Sequence, residues 1–274
     1  MNIRLIAFDL DGTLLNSEKT VSPRTKAALT RAAEHGVVLV PATGRLHRDL
    51  PADVAALPSL RYVIAINGAE VFDLKEDRLL YQAELDRTDA LELMKYMDTL
   101  PAIYGWYQGG RGFISSRYYE RMKDFAHAPW LFDSMRRAYT PTENPEKTLF
   151  EEESGPQKLQ LYFRDMEARK KVLKEIPFRF PQCAVSSSLP INIEVNAASA
   201  TKGHALAFLA ERLGIKPEET LAFGDGTNDI SMLRQAGTGV AMGNAAPEAQ
   251  EAADRVTGTN DEDGIAAILE EYGL

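Results

Sequence analysis

The sequence predicts an α/β protein with a parallel-sheet core and a second α/β domain inserted into it. Three observations carry that prediction. Short apolar runs alternate with helical stretches in the first eighty residues, the composition changes near residue 83, and the alternation returns at about residue 191. The core is therefore expected from residues 1–82 and 191–274, with the insert at 83–190.

The elements follow in order. Ile3 to Phe8 is apolar apart from Arg4 and reads as a strand buried on both faces of a parallel sheet. Ser22-Pro23 is an N-cap followed by a proline suited to a first helical turn, and Gly36 closes that helix. VVLVPATGR (37–45) and RYVIAINGA (61–69) are the second and third strands, and AEVFDLKEDRLLYQAEL reads as a hairpin with a charged turn. The segment 83–190 holds 16 of the chain's 23 aromatic residues, including Trp106 and Trp130, and prolines 129, 141, 145, 156, 177, 181 and 190 crowd it. INIEV (191–195) is read as the strand that returns the chain to the core. A helix from Lys202 to Leu213, a strand TLAF (220–223), a helix from about Asp229, a strand GVAM (239–242) and a helix from Gly264 complete it.

Composition bounds the function. Net charge is −9, from 31 basic and 40 acidic residues, which argues against general nucleic-acid or anionic-membrane binding. An anionic substrate then needs a local positive site. With Cys183 the only cysteine, no intramolecular disulfide can form. No secretory leader pattern opens the chain and no apolar run approaches membrane-spanning length. These features read as a soluble cytoplasmic protein; they set no oligomeric state.

The chemistry concentrates where strands end. Asp9 and Asp11 close the first strand, and in extended backbone their Cα atoms lie about 6–7 Å apart on the same side. Two carboxylates so close are not both cheaply ionised unless a cation or a shared proton relieves them. Thr43-Gly44-Arg45, Asn67-Gly68 and Asp225 to Asp229 occupy three more strand ends, where open α/β sheets bind ligands. Carboxylates gathered there make an all-oxygen site suited to Mg²⁺.

Taken in order, DLDGT, ATGR, SATKG and GDGTND resemble the four motifs of the haloacid dehalogenase superfamily of phosphohydrolases. NGA (67–69), GVAMGNA (239–245) and NDEDGIA (260–266) resemble its Cof-like branch, whose Rossmann-like core carries a large inserted α/β cap. The resemblance implies a Mg²⁺-dependent phosphatase acting on small phosphorylated metabolites such as sugar phosphates or phosphorylated cofactors. It implies that Asp9 is the nucleophile, forming an aspartyl phosphate, and that Asp11 serves as general acid and then base. Mg²⁺ is implied between the Asp9 carboxylate, the Asp11 backbone carbonyl and Asp225, with Asp229 supporting it directly or through water. Thr43, Gly44, Arg45, Asn67 and Asn228 are implied around the phosphate, and Lys202 between nucleophile and phosphate. A phosphomutase with the same chemistry and a silent metabolite-binding protein are the rivals.

Other readings are weaker. An EF-hand fails because Gly12 falls at the fourth loop position and Thr20 stands where a glutamate belongs. GTGVAMG (237–243) leads into a strand instead of joining strand to helix, unlike a dinucleotide loop. Arg45 is as readily an ion-pair partner as a ligand, and Asn67-Gly68 as readily a tight turn. His35, His47, His127 and His204 are scattered without ligand spacing and read as structural. Trp106, Tyr107 and Trp130 are candidates to face a substrate.

Overall fold

The computed structural model describes residues 3–126 and 128–274, so the reading of His127 lies outside the described residues. The chain divides into two compact units, residues 1–82 with 200–274, and residues 83–199.

The first unit is built on strands β1 (Leu5–Phe8), β2 (Val38–Pro41), β3 (Tyr62–Ala65), β4 (Glu70–Asp73) and β5 (Arg78–Gln82). The second unit contributes β6 (Ala102–Gln108), β7 (Arg111–Ser115), β8 (Thr140–Thr142), β9 (Lys158–Phe163), β10 (Cys183–Ser186) and β11 (Asn192–Ala197). The first unit then resumes with β12 (Thr220–Gly224), β13 (Thr238–Ala241) and β14 (Arg255–Val256).

In the first unit a parallel sheet runs β14-β13-β12-β1-β2. Alternate residues of β1 enter opposite apolar layers. Ile6 and Phe8 pack with Leu29, Leu39, Leu221, Phe223 and Ile265. Leu5 and Ala7 pack with Val40, Leu206, Leu209, Ala222 and Met232. A strand covered on both faces must be apolar throughout, which is why β1 reads as an unbroken run. The helix Pro23–Glu34 begins as the sequence suggests, with the Ser22 hydroxyl accepting from the Thr25 amide at 3.1 Å. β3 continues the parallel order only through a bridge between Ala42 and Ile64, then turns back into β4 and β5 as an antiparallel meander.

From β1 the chain winds one way to β2, and from β12 the other way to β13 and β14. The carboxyl ends of β1 and β12 thus flank the point where winding reverses, the position at which such sheets form a ligand crevice.

The second unit is a six-stranded sheet, β10-β11-β9-β6-β7-β8, antiparallel except where β7 meets β8. β11 corrects the sequence reading. It belongs here, between β10 and β9, and the unit extends to Ser199 rather than ending at 190. The physical signal was the alternation Asn192, Ile193, Glu194, Val195, Asn196. That is the period of an antiparallel strand with two different faces, unlike the continuous apolar runs of the core. Trp106 is fully buried and donates its indole N–H to Gln108 Oε1 at 2.9 Å. It belongs to the unit's interior, whereas Trp130 is 51% exposed. Among the described residues no helix is long and apolar enough to cross a membrane.

Candidate active site

Asp9 leaves β1 with its amide donating to the Phe223 carbonyl at 3.0 Å, so the β1–β12 ladder fixes its backbone. Its carboxylate meets Lys202, the first residue of the helix Lys202–Arg212. The Lys202 ammonium is fully buried and donates at 2.5 Å to both Asp9 Oδ1 and Asp229 Oδ1. A cation at a helix N-terminus opposes the helix dipole, so its position needs these two anions to hold it. The carboxylates of Asp9, Asp225 and Asp229 each present an oxygen within 4.8 Å of the others.

The loop after β1 is shaped to admit this cluster. Gly12 has φ +89°, and a Cβ there would stand 2.4 Å from Asp225 Oδ2. The Thr13 hydroxyl donates to Asp225 Oδ1 at 2.7 Å. Asp229 uses its carboxylate for bracing: Oδ2 accepts from the amides of Asp225 at 3.0 Å and Gly226 at 2.9 Å while Oδ1 takes Lys202. Asn244 Nδ2 donates to the Gly12 carbonyl at 2.8 Å, and its Oδ1 accepts from the Asn260 amide at 3.0 Å.

Three carboxylates gather around one ammonium, and the proton affinities of Asp9 and Asp225 register the deficit. Burial pushes the Asp9 carboxyl well above the usual range, and the charges of Asp229 and Asp225 add to it against the pull of Lys202. Burial and the charge of Asp229 push Asp225 up to about 6 despite the Thr13 hydrogen bond. Burial works against the charged form of Lys202, yet Asp229 and Asp9 hold it above the ordinary lysine value. A buried oxygen cluster with surplus negative charge fits a hard divalent cation.

Asp11 stands apart from that cluster. Its carboxylate is about half exposed and takes a forked bond from Arg45, with Nε to Oδ2 at 3.0 Å and Nη2 to Oδ2 at 2.8 Å. Lys19 Nζ adds a contact to Oδ1 at 3.1 Å. Desolvation alone would raise the Asp11 carboxyl, but Arg45 and Lys19 outweigh it and hold it below the usual range. The sequence reading asked Asp11 to hold a proton. In this state it is a paired carboxylate, because Lys19 from the turn that follows and Arg45 from beyond the second strand converge on it.

The remaining segments converge on the same crevice. The Thr43 hydroxyl accepts from the Arg45 amide at 3.2 Å, flanking Gly44, and the Thr43 carbonyl accepts from the Asn67 amide at 3.0 Å. Asn228 Nδ2 donates to Asn67 Oδ1 at 3.2 Å, tying the β3 end to the β12 end. Asn67-Gly68 is both a turn, linking β3 to β4, and a packing element: a Cβ on Gly68 would fall 2.2 Å from the Thr201 carbonyl oxygen. His47 stacks on Phe72 with ring centroids 3.9 Å apart and contacts Glu70 Oε2 at 3.1 Å, a local packing role. Cys183 lies in the second unit with its thiol pushed up to about 11 by burial, unlike an activated nucleophile.

Sequence reasoning did not single out Thr13, Lys19, Asn244 or Asn260. Thr13, Asn244 and Asn260 lie inside the quoted motifs, so a signal existed; Lys19 is an exposed turn lysine and carried none.

An open parallel sheet with a carboxylate cluster and a buried lysine at its switch point defines a class of α/β proteins built to handle an anion beside a cation. The chain belongs to the haloacid dehalogenase-like hydrolases, whose family model matches residues 6–269. It is 31% identical over 274 residues to the 5-amino-6-(5-phospho-D-ribitylamino)uracil phosphatase YcsE of Bacillus subtilis, covering 100% of this chain and 97% of that protein. A haloacid dehalogenase-like hydrolase from B. subtilis superposes with a TM-score of 0.84 at 30% identity, over 98% of this chain and 99% of that one. The subclass IIB sugar phosphatase BT4131 superposes at 0.80 and 25% identity, over 98% and 99%. The protein is a phosphatase of this superfamily.

Proposed function

We propose that the protein is a Mg²⁺-dependent phosphatase of small phosphorylated metabolites that works through an aspartyl phosphate on Asp9. The observation that carries this reading is the fully buried Lys202 bridging Asp9 and Asp229 beside Asp225. A lysine so placed neutralises charge between a nucleophile and an incoming phosphoryl group, and phosphoryl transfer depends mainly on positioning and such neutralisation.

Asp9 and Asp225 would hold the metal with the Asp11 backbone carbonyl, and Asp229, whose oxygens accept from Lys202 and from the Asp225 and Gly226 amides, braces Lys202 and the loop. When bound, Mg²⁺ supplies positive charge against the phosphoryl oxygens. A carboxylate oxygen of Asp9 forms a bond to phosphorus as the bond to the leaving oxygen breaks. Asp11, which takes up a proton from solvent as Arg45 shifts to the phosphate, gives that proton to the leaving oxygen, then takes one from the water that releases inorganic phosphate. Thr43, the Gly44 backbone, Arg45, Asn67 and Asn228 position the phosphate.

Selection among substrates falls to residues 83–199, whose aromatic side chains suit a sugar or a heteroaromatic ring. The activities named for relatives, on a phosphorylated ribitylaminouracil and on sugar phosphates, make those two classes the first to try. The test is phosphate release, with Mg²⁺, from a panel holding both classes and phosphorylated cofactors. Turnover of one class above the rest supports the reading; undiminished turnover in excess chelator removes the metal from it.

A further inference from the structure

The turn that follows the first motif is built in more detail than a surface loop requires. Asn16 organises it: its Oδ1 accepts from the amides of Glu18 at 3.1 Å and Thr20 at 3.0 Å, and its carbonyl accepts from the Lys19 amide at 2.9 Å. Ser17 fastens the turn to Asp261, amide to Oδ1 at 2.8 Å and hydroxyl to Oδ2 at 2.6 Å. Asn260 Nδ2 adds a bond to the Leu15 carbonyl at 2.9 Å. At the apex Lys19 is held at φ +62°, a left-handed conformation that costs a side-chain-bearing residue energy. The ammonium carried by this strained residue reaches Asp11 Oδ1 at 3.1 Å.

Stability does not explain the arrangement. The Lys19–Asp11 pair is about half exposed on both sides, and exposed pairs contribute little. Arg45 already spans both Asp11 oxygens. Resting on the reading of Asp11 as acid and base and of Arg45 as a phosphate contact, the two roles collide. A phosphate in the crevice competes with Asp11 for the same guanidinium, and an Asp11 left without a partner loses its orientation.

We propose that Lys19 is a positioning residue for Asp11, keeping its carboxyl group oriented when Arg45 turns to phosphate, with Asn16 and Asp261 holding the turn that aims it. Misorienting a group that transfers protons slows the step by more the worse the leaving group, because a good one departs with little help.

The test compares phenyl phosphate with p-nitrophenyl phosphate, alike in shape but differing in leaving-group proton affinity. kcat/KM is measured on both for wild type, Lys19→Met, Lys19→Arg and Asp11→Asn. Lys19→Met should lower kcat/KM for phenyl phosphate by about tenfold, a fraction of what general acid–base help supplies, and change the nitrophenyl ester much less. Lys19→Arg, which keeps a charged donor, should restore most of the loss. A merely structural role lowers both substrates equally. If Asp11→Asn shifts the ratio between the esters and Lys19→Met does not, the assignment of Lys19 is wrong while that of Asp11 stands. If Asp11→Asn leaves the ratio unchanged, the reading of Asp11 falls and takes this inference with it.

Discussion

Each compact unit buries one lysine against carboxylate oxygen, and the two clusters obey different arithmetic. In the first unit Lys202 faces Asp9 and Asp229, with Asp225 close by, three carboxylates against one ammonium. In the second, Lys158 in β9 and Glu194 in β11 pair one to one at 3.0 Å, both side chains 2% exposed. The Ser188 hydroxyl donates to Glu194 at 3.1 Å, and the Lys158 ammonium lies 4.8 Å from the centre of the Tyr107 ring. A balanced pair can be complete in itself. An unbalanced cluster has negative charge left over for a cation, and that difference is the one expected between a pair that serves the fold and a site that serves chemistry.

The largest way to break that contrast is Asp9→Asn. Turnover should fall at least ~10⁴-fold, since the nucleophile is gone. Thermal unfolding in chelator should come no earlier than in wild type, because one charge has left a crowded anionic cluster. Unfolding well below wild type would show that the cluster is a structural network like its counterpart.

Next in size is Lys158→Met, which leaves Glu194 buried without its cation and should cost about 3–5 kcal/mol in denaturant unfolding. Turnover of p-nitrophenyl phosphate per folded molecule should hold. Replacing Glu194 by leucine in the same protein should recover much of the stability, which an intrinsically functional pair would not allow.

A third measurement uses pH. Asp225 has a folded-state value of about 6 against an ordinary 3.8, so its contribution to stability is present below about 4 and is lost as pH rises through about 6. In chelator, melting temperature should therefore fall over that window relative to Asp225→Asn. Mg²⁺ at a hundred times its dissociation constant should add about 2.7 kcal/mol at neutral pH. No slope in chelator, or no gain with Mg²⁺, contradicts the surplus of negative charge.

The smallest effect sharpens the division of labour. Trp130→Ala should reorder kcat/KM among metabolites by roughly tenfold, about 1.4 kcal/mol, while p-nitrophenyl phosphate is unaffected. Equal losses on every substrate would assign Trp130 to the fold.

The places of Asp9, Asp225 and Asp229 at strand ends can be read from the apolar runs before them, whereas Lys202 is picked out only by the motif resemblance, and the structure brings the four side chains together. β11 reads as a core strand from its apolar residues alone, whereas Asn192, Glu194 and Asn196 between them mark it as a strand of the second unit. The pairing of Asp11 with Arg45 and Lys19 could not be read, since it depends on where two long side chains end in space. Trp106 is a candidate contact by residue type alone; β6 lies between β9 and β7 with all seven of its residues buried, so the ring belongs to the unit's interior.

The hydrogen bond between Lys202 and Asp9 spans 193 residues of sequence. At ribosomal rates of about 5–20 residues per second, Asp9 waits roughly 10–40 seconds before its partner is made. During that interval β1 has β2 on one edge and nothing on the other, since β12 comes later still. Residues 83–199 are continuous and can pair all six of their strands within it. Synthesis therefore completes the insert while the framework around it is half written. The nascent chain carries an open apolar strand edge until its last quarter emerges, which makes that interval its time of greatest exposure to aggregation and chaperones.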